Sequence, residues 1–265
     1  MNLFSTFRSE GVLFVATGDR FLAEAAASAI ASRPFLSGRP IVLVSDNPPA
    51  AHDLNVFDQV LEHPDPCRSY RDKIAPLLNL PFSLTLFLDT DARLTAPVEP
   101  LFATLGRAHL AAAHAPVRIP GGWEDECIPE LFPEFNSGML LLRRSFRTQL
   151  LIKRWLSLYD QLQMQFDQSW DQASLRSVVW NLQQGWGLRL VVLPAEANLR
   201  TTKPWIAGKG LAVHVVHGRV PHAEWPALLG YLNGNIDRFR SWSEWLQLHP
   251  DSLLRLNLPP EPVGF

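Results

Sequence analysis

Two aspartates, Asp89 and Asp91, close the apolar run Leu84-Thr85-Leu86-Phe87-Leu88. Such a run reads as a buried strand. In extended backbone, side chains at i and i+2 share a face, so both carboxylates point the same way. Two like charges at the end of a buried strand are costly unless something positive sits between them. A hard divalent cation, Mn²⁺ or Mg²⁺, suits carboxylate oxygens and keeps coordination positions for substrate phosphates. The pair therefore predicts a metal-bridged diphosphate at the carboxyl end of a central strand, where open α/β sheets bind ligands. The plain alternative is an acidic turn in which one aspartate caps the next segment, and a pattern this short fits it equally well.

The elements that must position this pair emerge from the apolar spacing. Residues 11–16, 40–45 and 57–62 read as strands, with a loop at 17–20 and an Ala-rich helix at 21–32 that Pro34 stops. A helix at 70–78 leads into the strand that carries the aspartates. This alternation predicts an α/β fold with a largely parallel sheet. Beyond Asp91, the pattern gives a helix at 97–105, a strand at 109–114, and a Pro- and Gly-containing loop over 117–133, long enough to contact a substrate. A strand at 139–142, helices at 147–164 and 171–182, and strands at 188–194 and 211–218 come next. Residues 231–256 are helical in pattern, with Phe239, Trp242, Trp245 and Leu246 on one face. The Pro-rich end, 258–265, reads as a loose tail.

Composition narrows the classes. The 265 residues are 47% hydrophobic, enough for a sizeable core. A formal net charge of −2 provides no field to draw nucleic acid or an anionic membrane surface. Two cysteines, Cys67 and Cys127, make neither a disulfide framework nor a zinc pattern. The first residues lack the apolar core of a signal peptide, and no apolar run reaches the length of a membrane span. These features give the expectation of a cytoplasmic protein without a transmembrane segment.

Four places, in order, resemble the GT-A fold nucleotide-sugar glycosyltransferases, most closely the family 8-like group. They are Asp89-Thr90-Asp91, then Phe135-Asn136-Ser137-Gly138-Met139-Leu140-Leu141, then Asp171-Gln172, then His217-Gly218. The resemblance implies a single GT-A (Rossmann-like) α/β domain over residues 1–225, with a mostly parallel central sheet, and a C-terminal helical extension over 226–265. It implies transfer of a sugar from a nucleoside diphosphate sugar, a UDP-sugar by expectation, to a hydroxyl acceptor. It also implies a divalent metal held mainly by Asp91 and by a histidine on the last strand, with Asp89 touching the metal or the ribose. His214 and His217 are three apart, so a regular strand turns only one toward the cation. His217 is the expected ligand, because Gly218 after it allows close backbone approach to a phosphate.

The family-like pattern continues after that histidine with a Lys-Pro-Trp. Here His217-Gly218-Arg219-Val220-Pro221 stands instead, and Arg219 is expected on the diphosphate, where a guanidinium can make a bidentate contact. Lys203-Pro204-Trp205 precedes the last strand and does not inherit the role. Asn136 matches a sugar- or acceptor-contacting asparagine, and Asp171 and Gln172 match the pair that reads donor hydroxyls. Lys73 matches a basic residue upstream of the aspartates. Thr17 and Asp19 occupy the loop that would meet the nucleoside, where a carboxylate can accept from a base imide. Each has a bland reading: turn residues for Asn136, Thr17 and Asp19, a helix cap for Asp171, and surface charges for Lys73 and Arg219. No general base stands out, although Asp171 or Glu196 could be argued.

Two rival readings compete. Leu86 to Thr95 also resembles the first motif of haloacid dehalogenase-like phosphohydrolases, but Ala92-Arg93 departs from it and strands precede it. A non-catalytic nucleotide-sugar-binding or scaffold protein is the other, with Trp225, Trp242 and Trp245 offered to a partner; packing of a C-terminal helix explains the same tryptophans.

Overall fold

The computed structural model describes residues 10–119 and 123–255, so the N-terminal stretch, Gly121-Gly122 and the expected tail lie outside it. In chain order the elements are β1 (Glu10–Ala16), α1 (Asp19–Ser32), β2 (Ile41–Ser45), α2 (Pro48–Asp53), β3 (Gln59–Glu62), α3 (Arg71–Ile74) and β4 (Leu84–Leu88). Next come β5 (Ala92–Leu94), α4 (Glu99–Leu105), β6 (Leu110–His114), β7 (Phe135–Arg143), α5 (Phe146–Phe166), α6 (Gln172–Trp186) and β8 (Leu190–Leu193). The chain continues through β9 (Leu199–Arg200), β10 (Ile206–Ala207), β11 (Val215–His217), α7 (Trp225–Asn233), β12 (Arg240–Ser241) and α8 (Trp242–Leu248).

A seven-stranded sheet in the order β3-β2-β1-β4-β7-β6-β8 forms the centre. Only β7 runs against its neighbours, so the sheet is mostly parallel. Strand alternation buries both faces, which is why these strands read as unbroken apolar runs. Val12, Phe14, Leu86, Leu88, Met139 and Leu141 pack on one face with α1 and α4 residues. Leu13, Val15, Phe87, Leu140 and Leu142 pack on the other, against Trp155 of α5 and Leu175 of α6. After β1 the chain winds outward through β2 and β3, then returns to lay β4 on the other side of β1. This reversal opens a crevice at the carboxyl ends of β1 and β4, the position at which doubly wound sheets bind ligands.

A second, three-stranded sheet, β5-β11-β9, stands beside the first and brings the end of β11 against the end of β4. Three expectations are corrected here. The aspartate pair is not extended: Ala92 N donates to Asp89 O at 3.0 Å, closing a turn that passes the chain from β4 into β5. The last strand shrinks to 215–217, leaving His214 before it. The continuous helix over 231–256 is broken. The Asn233 side chain bonds Thr95 O, Val213 O and Val213 N, and Asn233-Gly234-Asn235 ends α7. Ser241 then caps α8 through Glu244 N. Phe239 leaves the expected apolar face and is exposed, whereas Trp205, Trp225, Tyr231 and Trp245 share a core with Leu199 and Val216. The late tryptophans are packing residues. None of the described helices is long and apolar enough to cross a membrane.

Candidate functional site

The crevice encloses about 420 Å³. Thr17 follows β1, Asp89 and Asp91 follow β4, Asn136 and Ser137 open β7, Asp171 and Gln172 open α6, and His217 ends β11; all line it. Lys73 of α3, Arg200 of β9 and Arg219 also line it, with Arg20, Arg68 and Asp72. Thus nine of the sequence-expected residues, Thr17, Lys73, Asp89, Asp91, Asn136, Asp171, Gln172, His217 and Arg219, converge on one cleft. Asp19 does not: it is exposed in the first turn of α1 and lines an adjoining recess with Asp46 and Asn47. Gly218 lies outside the lining; its φ of 125° suits glycine, its N donates to Asp91 O, and Thr201 fills the space a side chain would need.

Asp89, Asp91 and His217 each offer one ligand atom, and the three atoms lie within 4.8 Å of one another. His217 Nε2 is 3.2 Å from Asp91 Oδ1 and 3.8 Å from Asp89 Oδ2. Thr90 between the aspartates donates to Glu24, which also pairs with Arg219 at 2.8 Å. The turn therefore does what an extended strand would have done: it puts both carboxylates on the cleft side. His214 faces elsewhere, its Nδ1 2.9 Å from Pro97 O. Burial and the Arg200 guanidinium push the His217 imidazole below its ordinary value, which favours the neutral form a metal requires. Burial alone would raise the Asp91 carboxyl; positive charge beside it, including the Arg200 and Arg219 guanidiniums, outweighs burial and holds it well below the usual range. Two carboxylate oxygens and an imidazole nitrogen are a donor set that fits Mn²⁺ or Mg²⁺.

Lys73 ties this cluster to α6. Its ammonium lies 3.3 Å from Asp89 Oδ2, 3.2 Å from Asp171 Oδ2 and 2.9 Å from Ser137 Oγ. Burial would discharge it, but Asp171 and Asp89 raise its pKa and keep it protonated. Asp171 precedes α6 but makes no capping bond with its side chain, so its carboxylate is committed to the cleft. Asn136 sits within β7 rather than in a turn before it, and its Nδ2 donates to Gln172 Oε1 at 3.1 Å.

Sequence reasoning missed Arg200, Asn198, Glu134 and Gly138. Arg200 Nη1 lies 2.7 Å from His217 Nε2, and Asn198 holds the other ring nitrogen at 3.1 Å. Glu134 accepts from Gln172 Nε2, and burial pushes its carboxyl up to about 7. Nothing in the local spacing marks these three. Gly138 had a signal in the Asn-Ser-Gly motif, and a Cβ there would overlap the His217 ring and the Asp89 carboxylate. Glu196, one of the two arguable bases, is buried outside the cleft and accepts from Gly208 N. Tyr70 and Trp170 line the cleft as an edge-on aromatic pair, ring centroids 5.3 Å apart.

No family model and no curated protein matches the sequence. Solved structures do. The glycosyltransferase GlyE of Streptococcus pneumoniae TIGR4 is 17% identical with a TM-score of 0.51, over 74% of this chain and 48% of that one. This chain thus spans about half the length of GlyE. Mouse xyloside xylosyltransferase 1 is 15% identical with a TM-score of 0.50, over 80% and 98% of the two chains. An active-site mutant of LgtC is 16% identical with a TM-score of 0.50, over 83% and 95%. The fold is that of the GT-A glycosyltransferases.

Proposed function

We propose that this chain, on its GT-A fold, is a metal-dependent glycosyltransferase that moves a sugar from a nucleoside diphosphate sugar to a hydroxyl acceptor. A UDP-sugar is the donor we favour, and the part of the chain up to residue 225 carries the reaction, with α7 and α8 as an extension packed on it. The observation that carries the reading is the convergence of Asp89, Asp91 and His217 at the carboxyl end of β4, in the crevice where the sheet reverses. Asp89, Asp91 and His217 would hold Mn²⁺ or Mg²⁺. When bound, that cation neutralises charge on the leaving diphosphate.

The chain's own residues supply the rest. The cleft lining carries Arg20, Arg68, Lys73, Arg200 and Arg219 against Asp72, Asp89, Asp91 and Asp171. Asp72 is consumed internally by Thr17 Oγ1 and by the backbone N–H groups of Cys67 and Arg68. Glu24, paired with Arg219, brings the carboxylates to five against these five cations, so the positive charge that suits a bound diphosphate would come from the divalent cation. Lys73, Arg200 and Arg219 are placed to stabilise the charge that grows on that diphosphate as the sugar–oxygen bond breaks. The Asp171 carboxylate would accept from donor hydroxyls, and Gln172 would do so only by giving up one of the bonds its oxygen accepts from Asn136 Nδ2 and Ser137 N. Tyr70 and Trp170 give the cleft an apolar wall against which a sugar ring can lie. We assign no general base.

The test is calorimetric titration of UDP with and without Mn²⁺, followed by a panel of nucleotide sugars assayed for release of the nucleoside diphosphate. Metal-dependent tightening of UDP and turnover of one donor are expected. UDP affinity that ignores the metal would sink the metal site. Metal-dependent binding without turnover of any donor would identify a binding protein on the same fold.

A further inference from the structure

Five buried polar side chains form one connected line through the floor of the site: His217, Asn198, Asn136, Gln172 and Glu134. His217 Nδ1 is 3.1 Å from Asn198 Oδ1, and Asn198 Nδ2 donates to Asn136 Oδ1 at 2.9 Å. Asn136 Nδ2 donates to Gln172 Oε1, and Gln172 Nε2 donates to Glu134 Oε2. Amide oxygens and nitrogens look alike in shape, so the direction of such a line needs an independent anchor. Two backbone groups provide it. Gly138 N donates to Asn136 Oδ1 at 3.2 Å, and Ser137 N donates to Gln172 Oε1 at 3.4 Å. A backbone N–H can only donate, so Asn136 must turn its oxygen toward Gly138. Asn198 must then present its amino group to that oxygen and its carbonyl to His217. A carbonyl can only accept, so His217 Nδ1 must carry a proton. From the other side Arg200 Nη1, a donor with no acceptor capacity, sits 2.7 Å from Nε2, which must therefore be bare.

We infer that Asn198 is a positioning residue: held through Asn136 by the backbone of β7, it fixes His217 as the Nδ1–H tautomer and leaves the Nε2 lone pair on the side of Asp89 and Asp91, where Arg200 Nη1 holds it and a cation would displace that contact. That is the tautomer a free imidazole of histidine favours less, and the one that can bind a cation here. Nε2 and the Asp91 oxygen then present lone pairs to each other across 3.2 Å, an arrangement suited to a shared cation. Partners that fix the tautomer of a metal-ligating histidine are ordinarily carboxylates, backbone carbonyls or water. Here the job falls to a side-chain amide whose own direction is set by the backbone of another strand. The consequence for metal binding rests on the proposed role of His217 as a ligand; the tautomer does not.

The experiment separates the two. In metal-free full-length protein labelled with ¹⁵N-histidine, long-range ¹H–¹⁵N correlations at pH 7.5 report which ring nitrogen carries the proton, and His217→Gln identifies the His217 signals. The expected pattern in the wild type is Nδ1–H. A Nε2–H pattern, or a doubly protonated ring, overturns the inference. Asn198→Leu removes the acceptor and is expected to shift His217 to Nε2–H and to weaken Mn²⁺ by about 10- to 100-fold. Asn198→Asp restores an acceptor and is expected to keep Nδ1–H, rescuing Mn²⁺ affinity relative to Asn198→Leu. If Asn198→Leu unfolds, the wild-type and Asn198→Asp spectra still decide the question. An unchanged tautomer in folded Asn198→Leu overturns it. A wild type that shows Nδ1–H but binds no Mn²⁺ leaves Asn198 in its role and refutes the metal site instead.

Discussion

One part of the cleft, Asp89 and Asp91 with Lys73, Arg200 and Arg219, is charged and partly open to solvent; the two aspartate side chains are 22% and 14% exposed. The part behind it, Asn198, Asn136, Gln172 and Glu134, is deeply buried and built mainly of amides. Charges near water can be paired or left for a ligand at modest cost. Buried polar groups must satisfy one another, and a wrong direction anywhere leaves a donor facing a donor. The first part can therefore rearrange when a ligand arrives, whereas the second is pre-organised and transmits orientation. Lys73 and Gly138 are where the two meet, Lys73 by bonding both Asp89 and Ser137 and Gly138 by its missing side chain.

The sharpest way to break the distinction is Gly138→Ala. A methyl group would displace His217 and Asp89 together while crowding β7, with overpacking costing about 1–3 kcal/mol. The expected result is loss of all metal-dependent UDP tightening and a lower melting temperature, read by calorimetry and thermal unfolding. Asp91→Asn should touch only the charged part: metal-dependent tightening of UDP falls by about 100-fold while the fold persists. Unchanged UDP titrations with Mn²⁺ would refute the assignment.

Glu134 sharpens the contrast from the buried side. Its pKa is pushed up to about 7 by burial, with the Asp171 charge adding to it, against the hydrogen bond from Gln172 and the Arg176 charge. A folded-state value above the unfolded one means that the folded protein holds the proton more tightly. The associated stability is present at low pH and is lost as pH rises from about 4.5 toward about 7. Glu134→Gln removes the titration, so above pH 7 the variant should be more stable than the wild type by up to about 3 kcal/mol, with little difference near pH 5. Denaturant unfolding at pH 5 and 8 measures both; a pH-independent difference would show that Glu134 does not titrate there. The smallest effect is expected at His214. His214→Ala should leave metal-dependent UDP binding within about twofold, because its ring faces Pro97, while His217→Ala should abolish it. Parallel titrations of the two variants check this pair.

The continuous apolar runs of β1, β4 and β7 made the α/β class legible, because strands buried on both faces have no polar alternation to hide them. The Asp89-Thr90-Asp91 spacing, the Asn-Ser-Gly motif and the Asp171-Gln172 pair were legible as ordered landmarks, and the structure gathers them into one cleft. The late helical pattern misled, because apolar spacing over 231–256 carries no record of what Asn233 would bond to; that depended on β5 and β11 coming alongside. Spacing alone put His214 and His217 on opposite faces, and Gly218 favoured His217; which of them meets the aspartates was decided by where β11 begins and ends. Glu134, Asn198 and Arg200 left no local trace. In the hydrogen-bonded line Asn136 lies 36 residues from Gln172 and 62 from Asn198, and only the folding of β7, α6 and β11 onto one another put donor against acceptor. Residue type and local periodicity are set by the chain alone, because they act between near neighbours. The protonated nitrogen of a buried imidazole is a property of contacts distant in sequence, and tertiary structure alone decides it.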